Sequence, residues 1–113
     1  MAYNEFLADL LRNSLKERKV FFEEKKMMGG LCIMVDDKMC LGVIKDDLMA
    51  RIGPHKYEEF LSKPGARLMD FTKRPMKGYL YLDPTGWEDT NYLDEWVDQC
   101  LNFNKEAKSS KKR

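Results

Sequence analysis

Residues 31–44 carry two apolar runs, Leu31-Cys32-Ile33-Met34-Val35 and Met39-Cys40-Leu41-Gly42-Val43-Ile44, on either side of the charged stretch Asp36-Asp37-Lys38. Two such runs around a short turn predict a β-hairpin. Successive strand residues face opposite sides, so Leu31, Ile33 and Val35 share one side of the first strand and Cys32 and Met34 the other. Both sides are apolar, and a sheet built on this hairpin must have both faces covered. The expectation is a layer of helices on one face and a protein partner, or a second copy of the chain, on the other.

The flanking segments supply the helices. Tyr3, Phe6, Leu7, Leu10, Leu11 and Leu15 recur at three- and four-residue steps among charged residues, which predicts an amphipathic helix over 3–17. Val20-Phe21-Phe22 and the charged run to Met28 predict a partly exposed strand stopped by Gly29-Gly30. After the hairpin, Lys45-Asp46-Asp47 is a turn and Leu48 to Ile52 a strand closed by Gly53-Pro54. Pro54 suits the first turn of a short second helix that carries Tyr57, Phe60 and Leu61 and stops before Pro64-Gly65. Arg67 to Phe71 and Tyr79 to Leu82 read as two more strands around the basic loop Thr72 to Gly78. Thr90 reads as the N-cap of a last helix bearing Tyr92, Leu93, Trp96, Val97, Cys100 and Leu101. Helix, three or four strands, helix, two strands, helix is the order of an α+β two-layer sandwich, one antiparallel sheet with helices on one face. A chain of 113 residues holds one core, so residues 1–104 are expected to form a single domain and residues 105–113 a flexible basic tail.

Composition narrows the function classes. Twenty basic residues against nineteen acidic give a net charge of +1, so any nucleic-acid binding needs a local patch and is not supported by the whole-chain charge. No stretch is long and apolar enough to span a bilayer, and Met1-Ala2-Tyr3-Asn4-Glu5 lacks the pattern of a signal peptide, so a cytoplasmic protein without membrane contact is expected. Cys32, Cys40 and Cys100 are an odd count without C-x-x-C spacing and read as reduced core residues. A two-residue hairpin turn puts Cys32 and Cys40 on opposite faces, and a three-residue turn makes them diagonal neighbours at roughly 7–8 Å, so no bridge is expected between them.

The residues offer no catalytic set. His55 is the one histidine, which excludes a multi-histidine metal site, and it reads as a surface residue at the opening of the second helix. Gly29-Gly30 lacks the lysine and the strand-to-helix context of a phosphate loop. Asp36, Asp37, Asp46 and Asp47 are turn acids. No catalytic residue, metal or cofactor is expected, and the chain is expected not to be an enzyme. The candidate partner- or anion-binding residues lie on two loops, Lys25, Lys26, Met28, Gly29 and Gly30 on the first and Lys73, Arg74, Met76, Lys77 and Gly78 on the second. A small-ligand site there requires a concave pocket that joins the two loops. Met27, Met28, Met69 and Met76 are the methionines whose exposure would mark an adaptable partner surface.

The string Glu24-Lys25-Lys26-Met27-Met28-Gly29-Gly30-Leu31, followed by Ile33 to Met39, resembles the signature of the TfoX/Sxy N-terminal domain, a K-x-M-F-G-G turn before a V-D-G-K-M hairpin. Arg51-Ile52-Gly53-Pro54, the block from Met69 to Tyr79, the Asp83-Pro84 turn and the Trp96 helix are similar to later motifs of the family, so the likeness runs from about Tyr3 to Phe103. Met28 stands where the family commonly has phenylalanine, and Asp37 where its hairpin often has glycine. The resemblance implies a secretion-chaperone-like α+β sandwich with the same element order, and no catalytic residues. The family's larger competence regulators act at promoters with the cyclic-AMP receptor protein and join this domain to a C-terminal one that these residues do not contain. The resemblance therefore implies a non-enzymatic regulatory or protein-binding module. The alternative is a nucleic-acid-associated transcriptional regulator using the basic loops and tail.

Overall fold

The computed structural model describes residues 3–27, 29–69 and 77–107. Along the chain these form α1 (Glu5–Glu17), β1 (Glu23–Met27), β2 (Gly30–Val35), β3 (Lys38–Ile44), β4 (Asp47–Arg51), α2 (Tyr57–Leu61), β5 (Ala66–Leu68), β6 (Tyr79–Leu82), α3 (Pro84–Trp87) and α4 (Thr90–Asn104). The expected α+β order is the observed one, and the strands make a single antiparallel sheet in the order β1-β2-β3-β4-β6-β5.

The hairpin β2–β3 is the centre of this sheet. Asp36 and Asp37 are its two loop residues, with φ of 56° and 62°, the doubly left-handed pattern of a type I′ turn. Val35 pairs with Lys38 and Met34 with Met39, after which the register shifts so that Ile33 faces Leu41 and Cys40 is the extra residue of a bulge. Cys32 consequently sits on one face and Cys40 on the other, as a two-residue turn requires. All three cysteines are buried.

Every helix packs on the face that presents Leu31, Ile33, Leu41, Val43, Leu48 and Leu80. Leu7, Leu11 and Leu15 of α1 share one side because they recur at helical spacing, and Asn4 caps that helix by accepting the Leu7 amide at 3.0 Å. Trp96 of α4 is fully buried, with Phe60 of α2 edge-on to it at 5.0 Å and Tyr92 at 6.2 Å.

Several boundaries differ from the sequence expectation. Asp89 and not Thr90 is the cap of α4, because its carboxylate accepts the Asn91 and Tyr92 amides while Thr90 is already the first helical residue. Pro54 does not open α2, since residues 54–56 form a turn before Tyr57. The first strand begins at Glu23, which leaves Val20, Phe21 and Phe22 in the connection from α1. The fifth strand begins at Ala66 and covers Ala66–Leu68, residues 70–71 of the expected strand lie outside the described residues, and a short helix, α3, follows Asp83 where the sequence reads as a turn. Residues 105–107 continue from α4, the Glu106 and Ala107 amides donating to the Phe103 carbonyl, and Ala107 is buried; the rest of the expected tail lies outside the described residues.

The sheet face without helices carries an apolar cluster of its own. Cys32, Met34, Met39 and Met49 form its centre, and all four are buried within this one chain. Met69, expected as an exposure marker, is 0% exposed and belongs to the same cluster. The centre of that face is therefore buried within the chain.

Candidate functional site

The register of the sheet fixes where the two candidate loops lie. Gly30 begins β2 beside Val43 and Ile44, and Ile44 pairs with Asp47 at the start of β4. Gly78 precedes β6 and touches Gly53, just past the pairing of Arg51 with Tyr79 at the other end of β4. Three strand spacings and the length of β4 separate the two glycines, about 20 Å. Lys25 pairs with Cys32 and Lys26 with Leu31, so the two lysines project from opposite faces of the edge strand. Lys25, Lys26, Gly29 and Gly30 therefore do not join Lys77 and Gly78 in one pocket. Met28, Lys73, Arg74 and Met76 lie outside the described residues.

Lys77 and Gly78 instead meet the Arg51-Ile52-Gly53-Pro54 segment. The amides of Ile52 and Gly53 both donate to the Gly78 carbonyl, at 2.7 and 3.0 Å, and the Gln99 side chain of α4 donates to the Ile52 carbonyl at 3.0 Å. Gly53 has φ of +91°, and a Cβ there would lie 2.3 Å from Phe103, so only glycine lets the α4 ring close on this loop. Arg51 lies over two rings, its guanidinium carbon 5.4 Å from the centre of Tyr79 and 5.6 Å from that of Phe103. The result is a cavity of about 210 Å³ lined by Arg51, Lys77, Tyr79 and Phe103.

The tip of the β2–β3 hairpin lies at this same end of the sheet, since Arg51 donates to the Met39 carbonyl at 3.3 Å. Asn104, buried at the end of α4, donates from its side chain to the Val35 carbonyl at 3.2 Å and accepts Lys38 Nζ on its own carbonyl at 2.8 Å. This clamp holds the hairpin against the helix. On the outer side of the tip, Val20, Phe21, Met34 and Val35 line a second, larger cleft of about 480 Å³ whose rim carries Glu23 and Asp36. Phe21 is 84% exposed there.

Nucleophilic chemistry has no support in the thiols. Burial pushes the Cys40 thiol up to about 12, and it raises Cys32 and Cys100 as well, Cys100 further, so each is a protonated core group near neutral pH. His55 is exposed in the turn before α2. Among the described residues, no helix is long and apolar enough to cross a membrane.

Sequence reasoning passed over Arg51, Tyr79, Phe103, Phe21 and Asn104 as site residues. Arg51 and Tyr79 stand out as motif residues, but Phe103 and Asn104 come from the last helix, Asn104 being 69 residues from Val35, and no local pattern announces that approach. Phe21 lies within an apolar run that reads as a strand.

These elements define a small α+β sandwich, a helix-backed antiparallel sheet. Residues 14–104 match the family model of the TfoX N-terminal domain, and the chain belongs to that family. No curated protein and no solved structure matches it.

Proposed function

We propose that this chain is a non-enzymatic, protein-binding regulatory module that engages its partner through the hairpin end of the sheet. The observation that carries the reading is Phe21, 84% exposed beside a cleft floored by Val20, Met34 and Val35. An aromatic ring held in water beside a cleft with an apolar floor and acidic side chains around it is the arrangement of a binding anchor. Glu23 and Asp36 at the rim select the occupant by charge complementarity: a peptide segment with an apolar side chain flanked by lysine or arginine. Family membership supports a regulatory role, in line with the competence regulators that share this domain. Of the residues invoked for nucleic acid, the described lysines do not cluster, because Lys25 and Lys26 face opposite ways and Lys77 stands at the other end of the sheet from them.

The test is affinity capture from the native cell extract with the wild-type chain, Phe21→Ser and an exposed-site control, Lys16→Gln. The reading expects a protein retained by wild type and control and lost with Phe21→Ser at unchanged thermal stability. Equal retention by all three, or retention that only nuclease abolishes, overturns it.

A further inference from the structure

Among the described residues, the arginines are neutralised with one exception. Arg12 meets Glu5, Asp9 and Glu24, Arg18 meets Asp94 and Asp98, and Arg67 meets Asp47. Arg51, half-buried, has no described carboxylate within ion-pair distance. A guanidinium carries five N–H donors, and the Met39 carbonyl takes only one of them. Withdrawing a cation from water without a counter-charge is unfavourable, and the adjoining rings of Tyr79 and Phe103 replace only part of its hydration.

The cavity beside it has the complementary character. Its described lining brings a second cation, Lys77, and contains no acidic side chain. Its walls are preorganised: the Gly78 carbonyl is gripped by two amides, Gln99 ties the loop to α4, and the two rings pack against the guanidinium. A planar, oriented donor fork next to a flexible ammonium is the recognition chemistry of a carboxylate or a phosphate group.

We propose that this pocket is an oxyanion-binding site in which Arg51 and Lys77 supply the charge and Tyr79 and Phe103 hold Arg51 in place. It goes beyond the partner reading and does not depend on it, because the Phe21 cleft shares none of these residues.

The experiment is a ¹H–¹⁵N titration of the full chain with sodium phosphate and, separately, sodium acetate, each against sodium chloride at matched ionic strength. The amides of residues 51–53 and 77–79 are expected to shift and saturate with an oxyanion but not with chloride, and the salt that saturates identifies phosphate or carboxylate. Lys77→Gln, an exposed change that leaves the fold intact, should weaken binding roughly tenfold, the loss of one charge-assisted hydrogen bond. Arg51→Gln should remove the saturation. Shifts that follow ionic strength alike in all three salts, or a Lys77→Gln midpoint equal to wild type, overturn the proposal.

Discussion

Gly53 shows how much of this molecule rests on one missing side chain. It combines a left-handed φ with a ring pressed against its Cα hydrogen, whereas Gly78, at φ of +93°, has nothing nearer than 3.6 Å to the position a Cβ would take. Gly78→Ala should therefore cost only the backbone penalty, about 1–2 kcal/mol. Gly53→Ala adds overpacking against Phe103 and should cost about 2–4 kcal/mol. Urea unfolding measures both, and in a Phe103→Ala background the two alanine costs should converge. Cys40 supplies a second residue-scale prediction. Its thiol is raised from 9.0 to about 12 by burial, so above pH 9 the unfolded chain loses this proton first and the folded state is progressively destabilised up to about pH 12. Stability should be flat in this respect below pH 9 and fall above it, and Cys40→Ala should reduce that fall in pH-dependent urea midpoints. The buried, reduced state of the cysteines was legible from their apolar neighbours. The role of Gly53 was not, because the ring that demands it arrives from Phe103.

At the scale of elements, the hairpin was the most legible part of the chain. Its apolar runs set the strand positions and the acidic pair between them set the turn, and Asp37 adopts the φ of 62° that the family's glycine would take without strain. What the pattern did not disclose is the bulge at Cys40, which lets Cys40 and Leu41 share the helix-facing side. The edge strand β1 was legible in type but not in extent, because its Glu-Glu-Lys-Lys core has no alternation to mark where Val20-Phe21-Phe22 leaves the sheet. Its placement depends on Arg12 of α1, which reaches Glu24 with two hydrogen bonds, at 2.7 and 3.0 Å. The hairpin tip depends on Asn104 in the same way. Removing its side chain takes away the helix's hydrogen bond to the Val35 carbonyl in a buried site, so Asn104→Ala should cost about 1–2 kcal/mol in urea unfolding. A cost near zero would mean that the clamp does not hold the tip.

For the whole molecule, two-sided apolarity correctly required that both sheet faces be covered, but it could not say by what. The helices cover one face, and the methionine cluster with Met69 closes the centre of the other. Methionine makes that closure feasible, since flexible thioethers fill an irregular layer, and Gly42 leaves the room that the Met49 methyl occupies. Among the described residues, the concave surface discussed above lies displaced from the centre of the sheet to its end, where strands and α4 terminate together. The direct check of that displacement is site-specific photo-crosslinking in the native cell, with a photoreactive amino acid placed at position 21 in one protein and at position 81, on the methionine-bearing face, in another. The account predicts a discrete protein adduct from position 21 and none from position 81. An adduct from position 81 alone would contradict it and return the binding surface to the sheet face.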